Sequence, residues 1–328
     1  MRGATLGDLL RGLRFLRHQG AQRIALAYRD RLPPSSRLLA RLLGPDVVAT
    51  IRTAGAPRLP AVPGLPGVGP REALQLNVDG ALVVDAQEWP WCARQLEPLC
   101  RAGALVLPAG RKWIVPRSVR RVQCKDAWDQ NPATQYVARS GLKGHYAEFG
   151  TFWGRFFFPA YFRFAPLLEG RFFAFDSFQG LSKPAALETE FSAGDFRENT
   201  YAFNEHSFRA LGEYLGARDR IEIVPGFYDQ TLDGHTGAEY GLELRSLSVC
   251  IIDCDLLAPT RSVLNFVSPL LEPGALLYLD DWRLCRASPV VGERAAVLAW
   301  LGENPDIELV ELYRDHWQHQ WFIFQRST

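Results

Sequence analysis

The chain has 328 residues, 47% of them hydrophobic and 22% charged, and carries a formal net charge of +1, the composition of a soluble globular protein with room for one sizeable domain and a smaller one. No apolar run approaches the roughly eighteen residues of a spanning helix. Leu6, Leu9 and Leu10 are broken by Asp8, Arg11 and Arg14, which is not a signal-peptide layout, and six cysteines without CxxC spacing fit reduced thiols in a cytoplasmic protein.

In chain order, residues 1–53 read as a basic helical arm. Eleven arginines up to Arg58 face only Asp8, Asp30 and Asp46. Leu6, Leu9, Leu10, Leu13 and Leu16, continued by Ile24 and Leu26, have roughly helical spacing over 5–31. Pro33 and Pro34 close that helix, and a second short one covers 35–43. The basic arm suits an anionic membrane surface or an acidic partner, or is simply a solvated helix face. Without interleaved aromatics it gives no support for nucleic acid. Prolines 57, 60, 63, 66 and 70 mark a linker over 54–73, and 74–126 reads as a small α/β region with strands at 81–84 and 104–107 around a helix within 87–101.

From residue 127 to 328 strands and helices alternate. Apolar strands are expected at 145–149, 171–175, 221–224, 248–252 and 275–279, with helices after them and two closing strands at 307–313 and 319–324. Such alternation predicts an α/β fold with a doubly wound, mostly parallel sheet. Ligands of such sheets collect at the carboxyl ends of the strands.

Those ends carry the chemistry. Glu148-Phe-Gly150-Thr-Phe-Trp-Gly154 follows the first strand, and its glycines allow either close approach to a ligand or a tight turn. Asp176 ends the second strand, 26 residues beyond Gly150, where a carboxylate can grip a ribose diol or, with Ser177, cap a turn. Asp253-Cys-Asp255 and Asp280-Asp281 end what are expected to be adjacent strands, about 5 Å apart. Four carboxylates so close repel unless a cation intervenes, and oxygen ligands alone favour a hard ion such as Mg2+. His316 and His319, beside Trp317, read as wet surface or strand residues rather than ligands.

These segments resemble the macrocin O-methyltransferase family over about residues 135–324. The resemblance rests on Glu148–Gly154, on Phe175-Asp-Ser-Phe-Gln-Gly-Leu181 and on Val224-Pro-Gly-Phe-Tyr-Asp-Gln-Thr-Leu232. Ile252-Asp-Cys-Asp-Leu256 and Pro273-Gly-Ala-Leu-Leu-Tyr-Leu-Asp-Asp-Trp282 complete it. It implies a seven-stranded class I methyltransferase sheet with an antiparallel last strand, S-adenosylmethionine as methyl donor, and Mg2+. Carried over by position, Glu148, Gly150 and Gly154 would line the cofactor, Asp176 and Ser177 its ribose. Asp253, Asp280 and Asp281 would bind the metal, and Asp255 would be the general base. The implied reaction is O-methylation of a sugar hydroxyl on a glycoside, glycolipid or polysaccharide. Leu257, Trp282 and Ala275 depart from the family pattern and leave the acceptor open, and the N-terminal 125 residues, which the resemblance does not cover, are open to substrate capture, homo-oligomer formation or membrane docking. Two other readings stand beside it: a metal-dependent glycosyltransferase using Asp253-Cys-Asp255 as its DxD, and a non-catalytic methyltransferase-like binding module.

Overall fold

The structure is a computed structural model that describes residues 5–28, 47–52, 65–84, 89–109, 131–217 and 219–327. The chain divides into two compact units. One comprises 1–117 with 153–158 and 201–218, the other 118–152, 159–200 and 219–328.

The first unit is built on five strands: β1 (Ile24–Tyr28), β2 (Val47–Arg52), β3 (Gly67–Val68), β4 (Gly80–Val83) and β5 (Leu105–Pro108). They pair in parallel in the order β3-β2-β1-β4-β5. This corrects the reading of one helix over 5–31. The helix Leu6–His18, N-capped by Thr5, ends at Gln19 and is followed by Gly20 at φ 94°. Ile24-Ala-Leu-Ala-Tyr28 is then buried at every position, as a central parallel strand must be. Leu9, Leu13 and Leu16 are buried while Arg11, Arg14 and Arg17 are exposed. The expected linker is also shorter than the proline pattern suggests, because β3 and the helix Pro70–Gln75 lie within it. The expected helix at 35–43 and residues 53–64 lie outside the described residues.

The helix Glu205–Leu215, expected in the C-terminal domain, belongs to this first unit. Asn204 caps it and its amide donates to the carbonyls of Cys100 and Ala104, at 2.8 and 3.0 Å. The Ser207 hydroxyl accepts from Val106 N at 3.0 Å, so the helix satisfies a backbone donor of the edge strand β5.

The second unit holds β6 (His145–Phe149), β7 (Phe172–Asp176), β8 (Ile221–Pro225), β9 (Leu247–Ile252), β10 (Leu271–Leu279), β11 (Ile307–Tyr313) and β12 (Gln320–Arg326). Their order is β11-β12-β10-β9-β6-β7-β8, with β12 antiparallel to both neighbours. This is the sheet the sequence led us to expect. Its central strands β6, β7 and β9 are buried almost throughout and read as continuous apolar runs. One face packs Phe149, Phe175 and Ile252 against Val263, Phe266 and Val267 of the helix Leu257–Val267. Phe149 and Phe175 stack at 4.7 Å between ring centroids. Among the described residues no helix is long and apolar enough to cross a membrane, and Cys92, Cys100, Cys250, Cys254 and Cys285 are buried.

Candidate functional site

Strand register brings the site together. Phe149 on β6 pairs with Phe175 on β7 and with Ile252 on β9, and Ile252 pairs with Leu279 on β10. Gly150, Asp176, Asp253 and Asp280 therefore leave four adjacent strands at one level of the carboxyl edge. Gly150 sits at φ 88°, and a Cβ there would collide with the carbonyl of Asp253. The glycine is thus demanded by the approach of two strand ends.

Three carboxylates converge on one point. Asp253, Asp255 and Asp281 each present an oxygen, all within 4.8 Å of one another. Asp255 reaches the cluster from left-handed backbone at φ 62°, which is uncommon without glycine. Asp253 and Asp255 are part-exposed, whereas Asp281 is buried. Its Oδ1 accepts from the Gln318 amide at 3.1 Å, and its Oδ2 is buried without a hydrogen-bond partner. Burial raises all three carboxyls well above the usual range. The next cause is Asp280 for Asp253, Asp253 for Asp255, and Asp255 for Asp281.

Asp280, just past the end of β10, lies outside that trio, although its charge is the first cause after burial of the raised Asp253 carboxyl. It accepts from the Tyr278 hydroxyl two residues back at 2.6 Å, and the His319 Nε2 lies 3.0 Å from the same Oδ1. His319 Nδ1 meets Asp315 at 3.0 Å. The expectation that His319 is a wet surface or strand residue is corrected here: it lies just before β12, buried between Asp280 and Asp315, whereas His316 and Trp317 are exposed, Trp317 by 59%.

Two further glutamates, unremarked in the sequence, organise the loops. Glu293, in the first turn of the helix Gly292–Glu303, is 1% exposed. Its Oε1 accepts from Cys254 N and its Oε2 from Asp281 N, each at 2.9 Å. Burial, then Asp281, pushes its carboxyl up, against the pull of those hydrogen bonds. Glu188, in the helix Ala186–Phe191, accepts from Ala185 N and from Leu257 N at the start of the helix Leu257–Val267. The insertion after β7 is thereby tied to the loop that carries Asp255. No periodicity marks either residue; an acid in a first helical turn reads as a response to the helix dipole.

On the other side of β6, Glu148 is buried and accepts from the Tyr146 hydroxyl, on the same strand face. Asp176 Oδ2 accepts from the backbone N–H groups of Thr151 and Phe152 at 2.7 and 2.8 Å, and Oδ1 from Phe178 N at 2.6 Å. It thus clamps the glycine loop onto the end of β7, and burial still holds its carboxyl above the usual range. Oδ1 carries one of these donors and keeps a lone pair. The Ser177 hydroxyl closes a local turn, donating to Gly180 O at 2.7 Å and accepting from Gln179 N. Gly154 belongs to the first unit, where a Cβ at its φ of 80° would strike the Phe158 ring. Aromatic packing accounts for that glycine. The donor set around Asp281 is oxygen only, part-open to solvent and excess in negative charge, which fits a hard divalent cation.

Comparison with known proteins yields no matching family model and no matching curated protein. Solved structures do align. The O-methyltransferase NovP is 18% identical, over 60% of this chain and 77% of that one, with a TM-score of 0.47. CalS11, a calicheamicin methyltransferase, is 21% identical over 58% of this chain and 76% of that one, at a TM-score of 0.45. TomG, an O-methyltransferase from Streptomyces achromogenes solved with SAM, is 13% identical over 65% and 87%, at 0.39.

Two stability outcomes follow from the site. Asp176→Ala leaves two buried N–H donors, of Thr151 and Phe178, and the part-buried one of Phe152 without that acceptor and should cost about 2–4 kcal/mol, read by chemical denaturation. The acidic cluster sets a pH trend. Raised carboxyl values mean that the folded chain keeps protons that the unfolded chain releases above about pH 4. In chelator, this contribution is full below that pH and is lost as pH rises through the raised values. The melting temperature should therefore fall as pH rises above about 4, and a flat profile would contradict the cluster.

Proposed function

We propose that the chain is a Mg2+-dependent, S-adenosylmethionine-dependent O-methyltransferase of the macrocin O-methyltransferase type, acting on a sugar hydroxyl of a glycoside, glycolipid or polysaccharide. One observation carries the reading: Asp253, Asp255 and Asp281 meet within 4.8 Å at the ends of two neighbouring strands of a seven-stranded methyltransferase-order sheet. The five sequence motifs in register with those strand ends support it.

The residues divide the work by position. Asp253, Asp280 and Asp281 would hold the metal, with Asp280 anchored by Tyr278 and His319. Bound there, the ion supplies a positive charge that favours ionisation of a coordinated hydroxyl. Glu148 and the Gly150 turn would face the amino-acid end of the methyl donor, and the spare Oδ1 lone pair of Asp176 its ribose, beside Ser177. The donor, when bound, would supply an activated methyl group to the acceptor oxygen and would leave as the thioether with the carbon–sulfur bonding pair. Asp255, part-exposed on its left-handed turn, would take the hydroxyl proton. Orientation of the two substrates then contributes much of the rate.

The acceptor side has its own feature. Trp317 is 59% exposed, while the residues after it are fixed: Gln318 donates to Asp281, and His319 reaches Asp280. An indole held beside the acidic cluster offers a flat apolar surface to the face of a sugar ring.

Calorimetry should detect S-adenosylmethionine but not UDP-sugars; the reverse would favour the glycosyltransferase reading. Radiolabelled methyl transfer to a panel of glycosylated acceptors should require Mg2+ and stop in chelator. Asp280→Asn should weaken Mn2+ binding, whereas Asp255→Asn should bind the ion and lose about 10²–10⁴ in kcat. Asp253→Ala with undiminished Mg2+-stimulated turnover would remove the metal assignment. With an acceptor in hand, Trp317→Ala should raise its KM about tenfold and leave cofactor affinity unchanged.

A further inference from the structure

We infer that Glu293 is the positioning residue that fixes the spacing of the two acidic loops and so sets the affinity of the site for a divalent cation. The inference rests on the metal-binding reading above.

The geometry is specific. Glu293 projects from the helix Gly292–Glu303, outside both strands, and is 1% exposed. Oε1 accepts from Cys254 N, on the peptide that links Asp253 to Cys254, and Oε2 accepts from Asp281 N, on the peptide that links the acidic pair of β10; both bonds are 2.9 Å. One carboxylate therefore grips the peptides immediately following Asp253 and Asp280. Those turns carry four carboxylates of their own, and their mutual repulsion drives them apart.

A fifth acid is electrostatically the least favourable residue to place here. Only a carboxylate, however, offers two oxygens to two convergent N–H donors. A glutamine has one acceptor, and its amide N–H group would confront the second donor. Charge is thus tolerated in return for a fixed distance between loops, and that distance is what a small cation with strict ligand geometry requires. Asp281 Oδ2, buried and without a hydrogen-bond partner, is the ligand atom whose position most directly follows from the Glu293 bond to its own N–H.

The test uses the full chain and Mn2+ as probe. Free Mn2+ is measured by electron paramagnetic resonance for the wild type, Glu293→Gln and Glu293→Asp, with S-adenosylmethionine affinity by calorimetry and folding by circular dichroism. Mn2+ affinity should fall about 10–100-fold in Glu293→Gln, with the folded signal retained and cofactor affinity unchanged. Glu293→Asp keeps both acceptors on a shorter stem and should lose less. If Glu293→Gln does not fold, Glu293→Asp decides alone. A role confined to bracing the fold would lower the melting temperature and leave Mn2+ affinity, measured well below it, unaltered. Wild-type affinity in the variants overturns the inference while the metal-binding reading stands. Failure of the wild type itself to bind Mn2+ overturns both.

Discussion

Repulsion among carboxylates at the ends of β9 and β10 is the constraint around which the second unit is organised. A parallel sheet places successive strand ends side by side about 5 Å apart, so acids that follow β9 and β10 in sequence are forced together. The fold answers with several kinds of compensation. Backbone N–H groups are turned onto Glu293 and Asp176, a tyrosine hydroxyl and an imidazole are turned onto Asp280, and an amide onto Asp281. What is left uncompensated is concentrated at one point, where Asp253, Asp255 and Asp281 face one another.

The same edge separates two kinds of acid by pleat. Residues two apart share a strand face, which is why Tyr146 meets Glu148 on β6 and Tyr278 meets Asp280 on β10. Asp281, one residue on, meets Asp253 and Asp255. A single strand end thus supplies one carboxylate anchored by side chains and another aimed into the cluster. Asp176 differs again, because its oxygens hold the loop after β6, so that turn is braced by the neighbouring strand.

The first unit shows how far a helix can be claimed by a sheet that is distant in sequence. Residues 201–218 lie between β7 and β8 in the chain, yet Asn204 and Ser207 hydrogen-bond to backbone groups of residues 100–106. The edge of β5 has an N–H to satisfy, and the hydroxyl of Ser207 satisfies it.

Much of the second unit follows from sequence because its signals are local. Apolar runs such as Val249-Cys-Ile-Ile252 define buried strands. Motif order then identified which strand ends bear acids. The N-terminal reading failed where a helical leucine pattern continued past Gly20, a stop signal that outweighs it; Ile24–Tyr28 becomes a strand because β2 and β4 flank it. Sequence could name Asp253, Asp255, Asp280 and Asp281 but could not say which three would meet. That depends on register, on a left-handed turn at Asp255, and on His319 and Glu293, whose partners Asp280 and Cys254 each lie 39 residues away in the chain yet adjacent in space. Residue type fixes which groups can carry charge; only the paired backbone decides which charges share a volume, because hydrogen-bond partners are chosen by distance in space and leave no periodic trace in the chain.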